Sequence, residues 1–286
     1  MARMAVLAAA VLAFMPPGAA SGQQAFTHGQ NIAPVFEGWE PNADGSFNMV
    51  FGFFNRNCQE VLQIPVGPDN SIEPDGPDRG QPTRFFPRRG KFIFRVPVPA
   101  DFGTSELVWT LTAHGRTEQA YATLHPEYII DKRITMMNEA GFGQRAGEAD
   151  SLHPELRVDG ESERTVRVGE PLELTAITSD DGLPRPRGGQ EDAAGLMFGW
   201  LVYRGEAAHV RFDPAQFNPD FRGRARGITM CPKFPPTPEW ARNAIPEDGR
   251  ITVTATFSEP GTYVLRAMAH DGGLKTTREI TVNVTG

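Results

Sequence analysis

The chain has little cysteine, no motif of known chemistry and no long apolar run, and each scarcity narrows what it can be. Two cysteines, Cys58 and Cys231, stand among 286 residues. There is no C-x-x-C or C-x-x-C-H, which excludes dithiol redox chemistry and c-type haem attachment. G-x-S-x-G, H-E-x-x-H, the phosphate-binding P-loop and the dinucleotide fingerprint are all missing. The nearest glycine cluster, Gly141-Phe142-Gly143-Gln144-Arg145-Ala146-Gly147, has the wrong spacing and no strand before it. The six histidines, His28, His114, His125, His153, His209 and His270, are never spaced to put two imidazoles on one metal. Positive charge is also short: 28 Lys and Arg face 35 Asp and Glu, a formal net charge of −7. Such a chain is not built to neutralise phosphates, so nucleic acid is not an expected partner.

The apolar run from Ala5 to Met15 follows Arg3 and precedes Pro16-Pro17-Gly18-Ala19-Ala20-Ser21-Gly22. As a helix it would span about 16 Å, roughly half of a bilayer core. One positive charge, a short apolar core and small residues read instead as a signal peptide over residues 1–22, cleaved after Ala20 or Gly22. No cysteine follows for lipid attachment and no second long apolar stretch exists. The mature chain is therefore expected without a membrane span, in the periplasm or outside the cell. In that oxidising setting Cys58 and Cys231 either pair, stapling the two halves together, or stay as buried thiols.

What is present is strand pattern. Phe47, Met49, Phe51 and Phe53 line one face of a strand, Phe92, Phe94, Val96 and Val98 another, and Leu107, Trp109 and Leu111 a third. Clusters such as Pro41-Asn42-Ala43-Asp44-Gly45 and Asp75-Gly76-Pro77-Asp78-Arg79-Gly80 separate them as turns. Residues 26–130 thus read as one β-sandwich domain and 131–155, rich in Gly, Met and charge, as a linker with room for one helical turn. Residues 156–286 read as a second sandwich, with strands expected over 164–168, 172–177, 197–203, 251–257, 263–270 and 279–284 and a long insertion over 213–250. The fold class is all-β, two sandwiches in tandem.

Ser179-Asp180-Asp181-Gly182-Leu183-Pro184, then Trp200, then Thr256 to Ala267 and His270-Asp271-Gly272-Gly273 resemble the PKD-like branch of immunoglobulin-like domains in secreted bacterial proteins. That resemblance covers residues 156–286 and implies fold, not activity. It makes Trp200 the core tryptophan of the third strand and Tyr263 a corner tyrosine, with Leu174 and Leu265 where antibody-type domains place cysteines. The first half, with Phe36-Glu37-Gly38-Trp39, Phe54-Asn55-Arg56-Asn57 and Asp78-Arg79-Gly80-Gln81-Pro82-Thr83, is similar to uncharacterised exported bacterial proteins. The implication is a bacterial source and export.

Three features could carry function. In an immunoglobulin-like sandwich two loops emerge at one end, bringing Asp180, Asp181, His270 and Asp271 together. Their carboxylates either hold a hard cation such as Ca²⁺ or cap loop amides. The insertion holds Phe221, Arg222, Arg224 and Trp240, residue types that anchor interfaces, and either meets a partner or packs back on the first half with Cys231 near Cys58. The basic, aromatic run around Phe85 and Phe86 either stacks on sugars or faces the second domain. No residue is expected to be catalytic and no cofactor other than Ca²⁺ is implied. The expectation is an exported, non-enzymatic interaction or structural module that binds protein or polysaccharide of the envelope. The alternatives are a carbohydrate-binding module stacking sugars on Trp39, Phe85, Phe86 and Trp240, or an enzyme, which would need a pocket of converging acids and bases.

Overall fold

A computed structural model describes residues 26–139, 150–183, 195–216 and 245–286. The expected signal peptide, residues 1–22, therefore lies outside the described residues. The strands of the first half are β1 (Ile32–Pro41), β2 (Phe47–Asn55), β3 (Leu62–Gln63), β4 (Asn70–Glu73), β5 (Arg84–Phe85), β6 (Arg88–Val98), β7 (Leu107–Ala113) and β8 (Arg116–Ala122). Those of the second half are β9 (Glu155–Val158), β10 (Glu163–Arg167), β11 (Leu172–Ser179), β12 (Met197–Arg204), β13 (Val210–Asp213), β14 (Arg250–Phe257), β15 (Gly261–His270) and β16 (Lys275–Thr285). No described sheet mixes strands of the two halves.

The first half stacks a β1-β2-β6 sheet on a β4-β7-β8 sheet, with β3 and β5 pairing beside them. Trp109 fills the middle of the core, edge-on to Phe51 and Phe94 at centroid distances of 5.7 and 5.0 Å. Its indole N–H donates to Asn70 Oδ1 at 3.0 Å. Asn70, itself fully buried, donates onward to the Ile64 and Pro82 carbonyls. Asn55 likewise donates to the carbonyls of Glu60 and Phe85. Buried amide side chains thus satisfy the backbone of residues 56–83, where the ladders are only two (β3–β5) and four (β4–β7) residues long.

One expectation fails inside β6. Phe94, Val96 and Val98 enter the main core, but Phe92 packs with Val50 and Ile130 on the other side of the sheet. Phe92 has φ +48° and the β2–β6 register shifts beside it, four residues of β6 opposing two of β2, so two extra residues interrupt the period of two. The second face of β2 is covered as a result, and Val50 is as buried as Phe51.

The second half is a more regular immunoglobulin-like sandwich, with sheets β10-β16-β15-β12 and β13-β14-β11-β9. Trp200 lies in its core with Leu174 and Leu265, and apolar packing does the work of an intersheet disulfide. The Tyr263 hydroxyl donates to the Glu259 carbonyl at 3.1 Å, closing the corner before β15. Two strands, β9 and β13, go beyond the six expected; at four residues each they are too short to show a period. The expected linker is also more than a tether: it contains the helix α1 (Lys132–Glu139), with Thr135 and Met136 buried. Asp131 caps it by accepting from the Ile134 amide at 2.8 Å.

Candidate functional site

The halves meet along a seam. On one side β6 is the edge of its sheet, and its carbonyls receive side chains where a further strand would otherwise sit. Arg266 of β15 donates to the Ile93 carbonyl at 2.7 Å, and Lys275 of β16 to the Lys91 carbonyl at 2.7 Å. Below them the end of β12 meets residues 78–83. The Thr83 amide donates to the Tyr203 carbonyl at 3.2 Å, the Tyr203 hydroxyl to the Gly80 carbonyl at 2.7 Å, and Arg204 Nε to the Gln81 carbonyl at 2.7 Å. Arg204 also grips both oxygens of Asp78, and Gln63 donates to the Gly205 carbonyl. From above, α1 brings Glu139 to 3.1 Å from Lys275 and accepts Lys91 at the Asn138 carbonyl.

Alternation builds both layers at once. On β12, Trp200 and Val202 belong to the core whereas Leu201 and Tyr203 line the seam; on β15, Leu265 and Ala267 are core and Arg266 and Met268 seam. Every residue from Met197 to Tyr203 is consequently buried.

Arg266, only 4% exposed, lies with its guanidinium 3.4 Å from the Tyr203 ring centroid and bonds Glu279. Burial alone would pull its pKa down, but Tyr203 and Glu279 more than offset that and the net shift is upward. Burial pushes the Tyr203 phenol up to about 12. Asp78 is held below the usual carboxylate range, chiefly by its hydrogen bond from Arg204. Buried Glu37 is shifted upward by desolvation even though Arg89 binds both its oxygens at 2.7 Å.

Two concavities mark this body. A cavity of about 30 Å³ within the seam is lined by Phe53, Arg84, Phe86, Tyr203, Arg266 and Met268, among others. A larger, open groove of about 530 Å³ runs between residues 60–69 and Thr112–His114. In it His114 Nε2 and Glu60 Oε1 sit 2.9 Å apart, and the other Glu60 oxygen accepts from the Gly29 amide. Val61, Ile64 and Val66 give the groove its apolar wall.

The sequence-derived candidates land as follows. Asp180 accepts from the Gly182 amide, Asp181 from the Leu183 and Leu152 amides, and Asp271 from the Gly273 and Leu274 amides. At least one oxygen of each thus caps a turn or loop amide, and among the described residues no group of three or more His, Cys, Asp or Glu is placed to hold a metal ion. His270 accepts from the Gly272 amide in the same loop. Phe85 is corrected from binding residue to core residue: it is fully buried, edge-on to Phe53 at 5.2 Å. Adjacent strand residues point to opposite faces, so Phe86 instead lines the seam under Arg84. Trp39 is half-buried against Phe47 and donates its indole N–H to the His125 carbonyl. Phe221, Arg222, Arg224, Cys231 and Trp240 lie outside the described residues. Cys58 is buried and disulfide-bonded.

The residues that hold the halves together, Tyr203, Arg204, Arg266 and Lys275, were not singled out by sequence. The signal was there: the unbroken apolar run Met197 to Tyr203 belongs to a strand covered on both faces, and Arg266 is a charge inside another such run.

Comparison with protein families and with curated proteins finds no match. Among solved structures, a conjugative transposon lipoprotein from Bacteroides eggerthii aligns at 12% identity with a TM-score of 0.30, covering 46% of this chain and 99% of its own. The fibronectin(III)-like modules of Clostridium thermocellum CbhA align at 9% identity and 0.24, covering 88% and 90%. The Yersinia pseudotuberculosis adhesin InvE aligns at 13% and 0.24, covering 92% and 62%. The fold assignment rests on the strand order and register described above. Among the described residues no helix is long and apolar enough to cross a membrane.

Proposed function

We propose that the protein is an exported, non-catalytic interaction or structural module of the bacterial envelope, its second sandwich of the PKD-like type, which binds protein or polysaccharide through loops on a rigid two-sandwich body. The observation that carries this reading is the open groove between residues 60–69 and Thr112–His114: Val61, Ile64 and Val66 give it an apolar wall, and Glu60 and His114 pair within it. Loops held on a stiff scaffold are where recognition residues concentrate. The carbohydrate reading is weakened at two of its four aromatics, because Phe85 is in the core and Phe86 lines the seam. The partner of Cys58 is taken to be Cys231, the other cysteine of the chain.

The test is retention of a defined envelope component on the immobilised protein, displaced by the same protein in solution. Val61 is an exposed groove residue, so Val61→Arg leaves the fold intact and is expected to lower retention at least about tenfold, as central interface residues do. Equal retention by the variant, or none by the parent while a known binder works alongside, contradicts the reading.

A further inference from the structure

The charges around the seam cavity do not balance. Arg84, Arg89 and Arg266 all line it. Arg89 is neutralised by Glu37 and Arg266 by Glu279. Arg84 has its guanidinium 4.7 Å from the Phe86 ring centroid and, among the described residues, no carboxylate or carbonyl within hydrogen-bonding distance. Glu206 acts on it electrostatically but makes no hydrogen bond to it, and one Glu206 oxygen caps the Ala208 amide. The rest of the lining is apolar: Phe53, Pro82, Ile93, Leu201 and Met268.

A guanidinium carries five donors in a planar fork, and stacking on an aromatic face leaves its edges free. Such a cation in an apolar recess, with its acidic neighbours engaged elsewhere, attracts a compact anion. The geometry points to a small-anion site at Arg84, sized for chloride or for a single carboxylate group and placed between the two sandwiches. The cavity of about 30 Å³ sets the size limit. It has room for about two water-sized occupants, too little for phosphate or sulfate with their four oxygens. Phe86 and Arg84 form one wall and Leu201 and Tyr203 another, so an occupant touches both halves and favours the closed seam. This inference stands independently of what the groove binds.

The experiment is thermal unfolding of the full chain at constant ionic strength, replacing sodium methanesulfonate stepwise with sodium chloride or sodium formate. The expected result is a saturable rise in Tm of roughly 2–4 °C for both small anions. Sulfate, matched in ionic strength, gives the same curve in the parent and in Arg84→Met. Arg84→Met loses the saturable rise, and Arg84→Lys keeps part of it. Arg116→Gln, an exposed site on β8, keeps all of it. An acetylated aspartate-containing peptide in place of formate separates two sources of carboxylate. A Tm rise with the peptide means the site accepts an acidic side chain offered by another chain, whereas a rise with formate alone means it takes free anions. Identical chloride and formate curves for parent and Arg84→Met overturn the proposal. Should Arg84→Met fold poorly, crystals soaked in bromide decide: an anomalous peak within hydrogen-bonding distance of Arg84 supports the site, and its absence overturns it.

Discussion

The two sandwiches solve one problem in different ways. In the second, long ladders such as β15–β16, paired from Gly261 to His270, satisfy the backbone directly, and the core needs only apolar side chains. In the first, residues 56–83 contribute short strands, and the buried amides of Asn55, Asn57 and Asn70 supply the missing partners. A ladder tolerates side-chain change because its bonds belong to the backbone, whereas an amide network depends on each member. The difference makes the first sandwich the more fragile toward polar substitution.

That comparison breaks or sharpens by measurement. The largest expected effect is at Asn70, where Asn70→Leu strands the Trp109 indole N–H and the carbonyls of Ile64 and Pro82. Each unsatisfied buried group costs about 1–3 kcal/mol, so the loss should reach about 3–5 kcal/mol in urea denaturation. The parallel change in the second sandwich, Thr178→Val, removes a single bond to the Glu155 carbonyl and should cost about 1 kcal/mol. Equal costs for the two would dissolve the contrast.

An intermediate effect lies at the seam and is read by pH. The Tyr203 phenol has a raised pKa in the folded protein, about 12 against an ordinary 10.0. The folded state thus holds the proton more tightly than the unfolded one, and the stabilisation is complete below pH 10 and lost as pH rises from 10 to 12. At about 1.4 kcal/mol per pH unit the loss amounts to about 3 kcal/mol. Tyr203→Phe is weaker at neutral pH by about 1 kcal/mol, for want of the bond to Gly80, but should show a flatter alkaline limb. Parallel limbs in the two proteins would remove Tyr203 from the account.

The smallest expected effect is Tyr263→Phe, which deletes one bond to the Glu259 carbonyl while the ring stays packed on Phe257. A cost of about 1 kcal/mol should appear in the same denaturation.

Legibility in the sequence follows the same divide. Trp200, Leu174, Leu265 and Tyr263 could be placed beforehand because β11, β14 and β15 keep their periods and the Pro260-Gly261 turn marks the corner. The first sandwich hid more: a bulge at Phe92 reverses a face, and β3 and β5 are too short for any pattern. For the aspartates at 180, 181 and 271 the sequence left two readings, because Asp-Gly turns and cation loops draw on the same chemistry and spacing alone does not separate them. The seam was least legible, since Arg266 and Tyr203 gain their meaning only when the edge of β6 arrives beside them.

The central claim is that this seam makes the two sandwiches one cooperative body, and scanning calorimetry of the parent beside Arg266→Met tests it most directly. The parent should melt in one transition whose calorimetric and van't Hoff enthalpies agree. Arg266→Met, which takes the cation from the Ile93 carbonyl, Glu279 and the Tyr203 ring, should split that transition in two. Two resolved transitions in the parent, or a single unchanged one in the variant, would contradict the account.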